Sequence, residues 1–225
     1  MADRPSPSPG AFRADLSPSG RGEGFTPDIR IPPLFPGMRI GLYGGSFNPA
    51  HAAHRAASLL ALKRLRLDKV WWLVTPGNPL KDNHRLPPLA LRVEQARKVA
   101  SHPALLPTGL EAGLGTRYSY DTVAALVTRF PKVRFVWLMG ADNLASFHRW
   151  GHWREMADLV PIAVIDRQGC TFPAMAAPAA QALARWRRPE SEAARLAVLP
   201  APAWTFLHGL KSPMSSTQLR ERGGG

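Results

Sequence analysis

One cysteine, Cys170, stands alone among 225 residues, so no intramolecular disulfide can hold the chain together. It has no neighbours at metal-ligand spacing either, and no chemistry is assigned to it. No uncharged apolar run reaches the roughly 18 residues that a membrane span requires. The opening stretch, Met1 to Gly10, has no apolar centre that could serve a secretory signal. These two absences make a cytoplasmic location the expectation. Acidic residues are also scarce, 16 against 29 lysines and arginines, for a net charge of +13.

That surplus has two readings. One is a polyanionic partner, either nucleic acid or a phosphate-rich small molecule. The other is an arginine-rich composition spread over a solvated surface. The basic residues form only short clusters, such as Lys63, Arg64, Arg66 and Arg185, Arg187, Arg188, with no long basic run. Charge alone decides between neither. What is present in quantity is apolar sequence, 45% of the chain, which suffices for one catalytic domain with a good-sized core.

Residues 1–36 are rich in Pro, Ser and Gly, with almost no apolar periodicity. Such a segment buries too little to offset its ordering entropy, so a disordered extension is expected there, ahead of a domain over 37–222. From Met38 the texture changes. Ile40, Leu42 and Tyr43 predict a strand ending at Gly44-Gly45, and Ala50 to Arg66 a helix. Val70 to Val74 is a continuous apolar run of strand length. Leu89, Val93, Ala96 and Ala100 predict a helix over 89–100, and Ala104 to Leu106 a short strand. Ser119 is placed to cap a helix carrying Val123, Leu126, Val127 and Phe130, with Asp121 in its first turn and Pro131 at its end. Val133–Met139, Val160–Ile165 and Trp204–Leu207 read as strands. A helix is expected near Ala179–Arg187, and another from about Ser216. Strands alternating with helices imply an α/β fold, a single doubly wound parallel sheet with helices on both faces. Such sheets bind ligands beyond the carboxyl ends of their strands, so the residues just after each strand matter most.

The first strand runs into Gly44-Gly45-Ser46-Phe47-Asn48-Pro49-Ala50-His51-Ala52-Ala53-His54. Two glycines allow a sharp turn with open N–H groups, and the helix start adds its positive dipole end. His51 and His54 lie on one face of the first turn, where two imidazoles could donate to phosphate oxygens as charge develops. A zinc site would need third and fourth ligands at suitable spacing, and none stands out, so no protein-held metal is expected. The other reading is one capping histidine and one exposed one.

This segment resembles the GX(S/T)FXPXHX(G/A)H signature of the nucleotidylyltransferase superfamily, whose paired histidines bind ATP phosphates. The superfamily's C-terminal hydroxyl-rich signature is matched by Ser215-Ser216-Thr217-Gln218-Leu219-Arg220. Gly140-Ala141-Asp142-Asn143-Leu144, continuing through Phe147 and Trp150 to Trp153-Arg154, resembles the corresponding stretch of nicotinate-nucleotide adenylyltransferases. Tyr118-Ser119-Tyr120-Asp121-Thr122 and Pro76-Gly77-Asn78-Pro79-Leu80-Lys81 are similar to two further segments of that family, as is Asp166-Arg167-Gln168-Gly169. The resemblance spans about residues 38–222. Departures are Ser46 for threonine, Asn48 for aspartate, Ala53 for glycine, Ser119 for threonine, Gln168 for proline, and Met214 for a branched aliphatic residue. None removes a phosphate ligand.

The resemblance implies a Rossmann-like nucleotidyltransferase that transfers the AMP part of ATP to nicotinate mononucleotide, giving deamido-NAD and pyrophosphate. It implies ATP binding by Gly44, Gly45, Ser46, Phe47, His51, His54, Gly140, Asp142, Ser216, Thr217 and Arg220, with Asp142 on the adenosine ribose. Lys81, Tyr118, Ser119 and Trp150 would bind the acceptor, Trp150 by stacking on the nicotinate ring. His51, His54, Lys81 and Arg220 are the expected catalytic set. Magnesium (Mg2+) is expected to arrive mainly on the ATP phosphates, since no carboxylate cluster is evident. A helix start at Ser119 favours an anion, hence the acid over the amide as acceptor. The rivals are a superfamily member acting on phosphopantetheine or nicotinamide mononucleotide, and a basic RNA-binding protein that kept the fold. The intact double signature argues against the latter, so no nucleic-acid or membrane partner is expected. Nothing in the sequence specifies an oligomeric state.

Overall fold

The computed structural model describes residues 30–77, 86–116, 118–166 and 171–209. Seven strands form one sheet: β1 (Arg39–Gly45), β2 (Lys69–Val74), β3 (Leu105–Thr108), β4 (Arg134–Gly140), β5 (Ile162–Ile165), β6 (Arg187–Arg188) and β7 (Trp204–Leu207). Their order across the sheet is β3-β2-β1-β4-β5-β7-β6, and every pairing is parallel. The helices are α1 (Ala52–Leu65), α2 (Leu89–Ala100), α3 (Leu110–Leu114), α4 (Ser119–Arg129), α5 (Ala141–Ser146), α6 (Trp153–Leu159), α7 (Thr171–Ala176) and α8 (Pro178–Ala182).

The central strands are apolar throughout because both faces are covered. Alternate residues feed two cores. Ile40, Leu42, Trp71, Leu73 and Trp137 face α4, α5 and α6, with Val123, Leu126, Leu144 and Met156 packed beneath them. Tyr43, Trp72, Val74, Val136 and Leu138 face α1 and α2, meeting Ala57, Ala61, Leu65, Val93 and Ala96. The doubly wound expectation holds. From β1 the chain winds outward through β2 to β3, then returns to place β4 on the other side of β1. The β1/β4 boundary is therefore the topological switch point, where open parallel sheets leave a crevice.

Local chemistry accounts for the helix ends. Arg66 closes α1 in the left-handed region (φ 53°), its N–H bonding the Leu62 carbonyl, with Lys63 and Arg64 in the last turn. Cations there complement the dipole, which gives this basic cluster a structural use. At α4 the cap is Tyr118 rather than Ser119, which is the first helical residue. The Asp121 carboxylate accepts the Tyr118 N–H at 3.3 Å, so the acid in the first turn performs the capping.

Several boundaries differ from expectation. β5 starts at Ile162, because Val160 N–H still bonds Met156 at the end of α6 and Pro161 has no N–H to offer. The helix expected near Ala179–Arg187 is shorter, and Arg187-Arg188 instead form the edge strand β6. Helices α3, α5, α6 and α7, and the 3-10 segment Glu190–Val198, have no counterpart among the expected elements. Ile31 and Leu34 pack against the core, so the chain is already engaged before Met38. The expected terminal helix from Ser216 lies outside the described residues.

Gly44 has a reason other than turning. It remains in β1, and a Cβ there would lie 2.6 Å from Cη2 of the fully buried Trp137. The indole is locked in the core and cannot step aside. Gly44→Ala is expected to cost about 2 kcal/mol, the usual scale of overpacking. Urea unfolding measures it, and an unchanged midpoint would mean that Trp137 shifts freely.

Candidate active site

Helices in βαβ units begin at the carboxyl end of the sheet, so the N-termini of α1, α4 and α5 share one end of the molecule. β1 and β4 are hydrogen-bonded neighbours, with Tyr43 opposite Leu138. Gly45 and Gly140 end the two strands side by side, and α1 and α5 leave from there. His51 is the cap residue of α1, and Gly140 that of α5, with Asp142 in its first turn. The structure thus brings together Gly44, Gly45, Ser46, Phe47, His51, His54, Gly140 and Asp142.

The turn between β1 and α1 is tightly built. Neither glycine carries it. Phe47 adopts the left-handed region (φ 46°), a costly conformation for a bulky side chain. Its ring compensates by stacking on Trp72, with centroids 4.9 Å apart and planes 7° from parallel, and by an edge contact with Tyr43. Both histidines are buried, and their rings lie 3.8 Å apart. The His51 N–H donates to Nδ1 of His54 at 3.2 Å. A neutral imidazole accepting at Nδ1 carries its proton on Nε2, so His54 is set as an Nε2–H donor. The helix behind it is anchored as well: Ser58 donates to the His54 carbonyl, and Trp72 Nε1 donates to Ser58.

A second group assembles around α4 and α6. The Tyr118 ring lies over Gly151, where a Cβ would be 3.1 Å from the ring. Tyr120 packs on His152 with centroids 5.0 Å apart. The start of α4 is thereby held against the turn that carries Trp150. Trp150 lies in the turn before α6, not on a helix, whereas Trp153 begins that helix and is buried. Edge-to-face contacts from Trp137 and Phe147 hold the half-buried Trp150 indole. Lys81, Ser216, Thr217 and Arg220 lie outside the described residues.

Two buried charged residues near this end were missed in the sequence. Arg92, on α2, is 1% exposed. Its guanidinium donates to the carbonyls of Pro87 (2.9 Å), Ser46 (2.8 Å), Thr75 (2.8 Å) and Pro76 (3.3 Å). Glu111, at the start of α3, is buried and shares a side-chain hydrogen bond with Thr75. Burial raises its carboxyl from the ordinary 4.5 to about 7, and the Thr75 bond pulls the other way. A signal for Arg92 existed: it sits on the apolar stripe of α2 with Val93, Ala96 and Ala100. For Glu111 there was none beyond its place after a short strand.

The site can do one thing well. It offers imidazole donors, a helix N-terminus and strand-end amides to an anion at the switch point, with an aromatic cluster at a second helix N-terminus on the same end of the sheet. Among the described residues, no three His, Cys, Asp or Glu side chains gather as a metal site, and no helix is long and apolar enough to cross a membrane.

Comparison with known proteins fits this geometry. Residues 42–222 match the cytidylyltransferase-like family model. A relative from Methylorubrum extorquens, named "probable nicotinate-nucleotide adenylyltransferase", is 60% identical over 185 residues, covering 82% of this chain and all of its own. One of the same name from Brucella abortus is 50% identical, covering 82% of this chain and 95% of its own. Among solved structures, the Plasmodium falciparum nicotinic acid mononucleotide adenylyltransferase complexed with NaAD superposes with a TM-score of 0.60 at 16% identity, over 82% of this chain and 83% of that one. That likeness concerns the fold. With relatives this similar along the whole domain, the chain belongs to the cytidylyltransferase-like family and, within it, to the nicotinate-nucleotide adenylyltransferases.

Proposed function

We propose that the chain transfers the adenylyl group of ATP to nicotinate mononucleotide, giving deamido-NAD and pyrophosphate, a step of NAD biosynthesis. An oxygen of the mononucleotide phosphate attacks the α-phosphorus of ATP in line. The new P–O bond forms as the bond to the bridging oxygen breaks, and its electron pair leaves with pyrophosphate. The acceptor phosphate is already ionised, so no enzyme nucleophile or general base is needed. Catalysis comes from positioning two polyanions and stabilising charge on the transferring group.

The observation that carries this reading is the histidine pair at the start of α1. His54 is held as an Nε2–H donor by the His51 amide, at the β1/β4 switch point. His51 and His54 donate to the phosphates, with the strand-end segment Gly44–Phe47 against the nucleotide and Gly140 and Asp142 toward the adenosine. By their positions in the motifs, Lys81, Ser216, Thr217 and Arg220 complete the phosphate cage. Trp150 stacks on the nicotinate ring, and the start of α4 at Tyr118 and Ser119 receives its carboxylate.

ATP binds as its magnesium complex, and the ion neutralises phosphate charge while taking most of its ligands from phosphate and water. The catalytic domain is assigned to residues 37–222, with Ile31 and Leu34 of the preceding segment packed on its core. The enzyme works in the cytoplasm and needs neither a nucleic-acid nor a membrane partner.

Pyrophosphate release from MgATP, with nicotinate and nicotinamide mononucleotides competing as acceptors, tests the proposal. Strong preference for the acid, with a dinucleotide product, is the expected result. Equal use of both would remove the carboxylate role from Ser119. No release with either would reject the reaction.

A further inference from the structure

We propose that Arg92 is a positioning residue that locks the Ser46–Phe47 peptide, and so fixes the shape of the turn lying against the ATP phosphates. The claim rests on the proposed adenylyl transfer at that turn. The Arg92 side chain comes from α2, 46 residues downstream of Ser46, and among the described residues its hydrogen bonds reach neither the histidine pair nor the segments around Ser119 and Trp150. Among the described residues its hydrogen-bond partners are all backbone carbonyls, with no carboxylate. A buried cation is costly unless its N–H groups find acceptors, and here carbonyls supply them. Here one planar fork ties three loop segments together: the turn after β1 through Ser46, the residues after β2 through Thr75 and Pro76, and the entry to α2 through Pro87.

The Ser46 contact has a particular consequence. A peptide group is planar and trans, so its carbonyl and the following N–H point in opposite directions. Holding the Ser46 carbonyl on Arg92 turns the Phe47 N–H to the opposite side of the turn. A peptide can flip by changing ψ of the first residue and φ of the second together. Such a flip would take φ of Phe47 from 46° into the extended region, which a bulky residue prefers. The orientation found is the strained one, and the 2.8 Å bond from Arg92 Nη1 holds it. The same nitrogen bonds the Thr75 carbonyl at 2.8 Å, so the turn is set relative to the neighbouring strand end as well as oriented. Thr75 is itself joined to β1 by its N–H on the Gly45 carbonyl at 3.0 Å. Arg92 thus acts on the phosphate site through the backbone, without contacting substrate.

Arg92→Lys and Arg92→Met test this. Lysine keeps a cation but cannot reach several loops at once, and methionine keeps only bulk. In the full-length enzyme, kcat per ATP-binding site is expected to fall on the order of 10-fold in Arg92→Lys and about 100-fold in Arg92→Met, the scale of a small misplacement of reacting groups. The KM for nicotinate mononucleotide should stay within about twofold in both, since the acceptor pocket is untouched. A crystal structure of the lysine variant should show Phe47 out of the left-handed region. A purely structural role would instead lower Tm and the fraction of sites that bind ATP, leaving kcat per site unchanged. That result, or Phe47 still left-handed in the variant, overturns the proposal. If Arg92→Met fails to fold, the lysine variant carries both readouts. If the wild-type enzyme releases no pyrophosphate, the reaction is wrong, and the Phe47 conformation alone decides the role of Arg92.

Discussion

Replacing His54 by alanine is expected to lower kcat by about 100-fold or more, the usual loss when one donor to a developing charge is removed. Its Nδ1 is already committed to the His51 amide, so what alanine removes is the Nε2–H donor. In the proposed mechanism that donor serves the transferring group, so the loss should appear in kcat, with little change in the KM for the acceptor. The side chain also packs among Phe47, Trp72 and His51, so truncation opens a gap beneath the turn. A thermal melt must therefore accompany the kinetics, and His54→Gln, which fills the gap and keeps an amide donor, should recover stability before it recovers rate. Near-normal turnover in a folded His54→Ala enzyme would remove the histidine pair from the mechanism.

Glu111 yields an effect on stability of comparable size. Its carboxyl titrates at about 7 in the folded chain against an ordinary 4.5, because burial disfavours the charged form. Between those two values the folded protein holds a proton that the unfolded chain has released. Stability attributable to this group is therefore full below 4.5, declines as pH rises, and is gone above about 7. At 1.36 kcal/mol per unit, the window amounts to about 3 kcal/mol. Glu111→Gln keeps the shape and stays neutral, so it should gain on the wild type by about that amount between pH 4.5 and pH 8, most of it above pH 5. Urea unfolding of both proteins at several pH values measures the difference. Parallel curves would show that the Glu111 carboxylate is ionised at neutral pH without penalty.

Much of this fold was legible in the sequence because its signals are local. Continuous apolar runs of strand length, such as Val70–Val74 and Val133–Met139, have few alternatives when helices with three-and-four spacing separate them. The resulting alternation dictates a parallel sheet, and the sheet dictates where a ligand can sit. His51 and His54 were found because both belong to one helical turn, and a turn's geometry is fixed by sequence spacing. Asp142 was placed in the same way, directly downstream of β4. Boundaries failed where a residue answered to a distant partner. The shortened β5 follows from Pro161, and β6 exists only because Arg187 and Arg188 lie along β7.

Other features had no local signature. Gly44 reads as a turn glycine until Trp137 is seen beneath it, 93 residues away in the chain. Phe47 takes the left-handed position that the glycines suggested for themselves, and only the Trp72 ring and the Arg92 fork explain how it stays there. Tyr118 comes to lie over Gly151, next to Trp150 in the chain, because α4 and α6 pack side by side. The sequence by itself determined the main strands and their alternation with helices, the sheet type, the family and the proximity of His51 to His54, since each depends on neighbours within a turn or a strand. Only the tertiary structure decided that Arg92 and Glu111 converge on Thr75 and that one buried guanidinium spans three loops. Those contacts join segments far apart in the chain, and local periodicity carries no information about which distant carbonyl a buried cation will find.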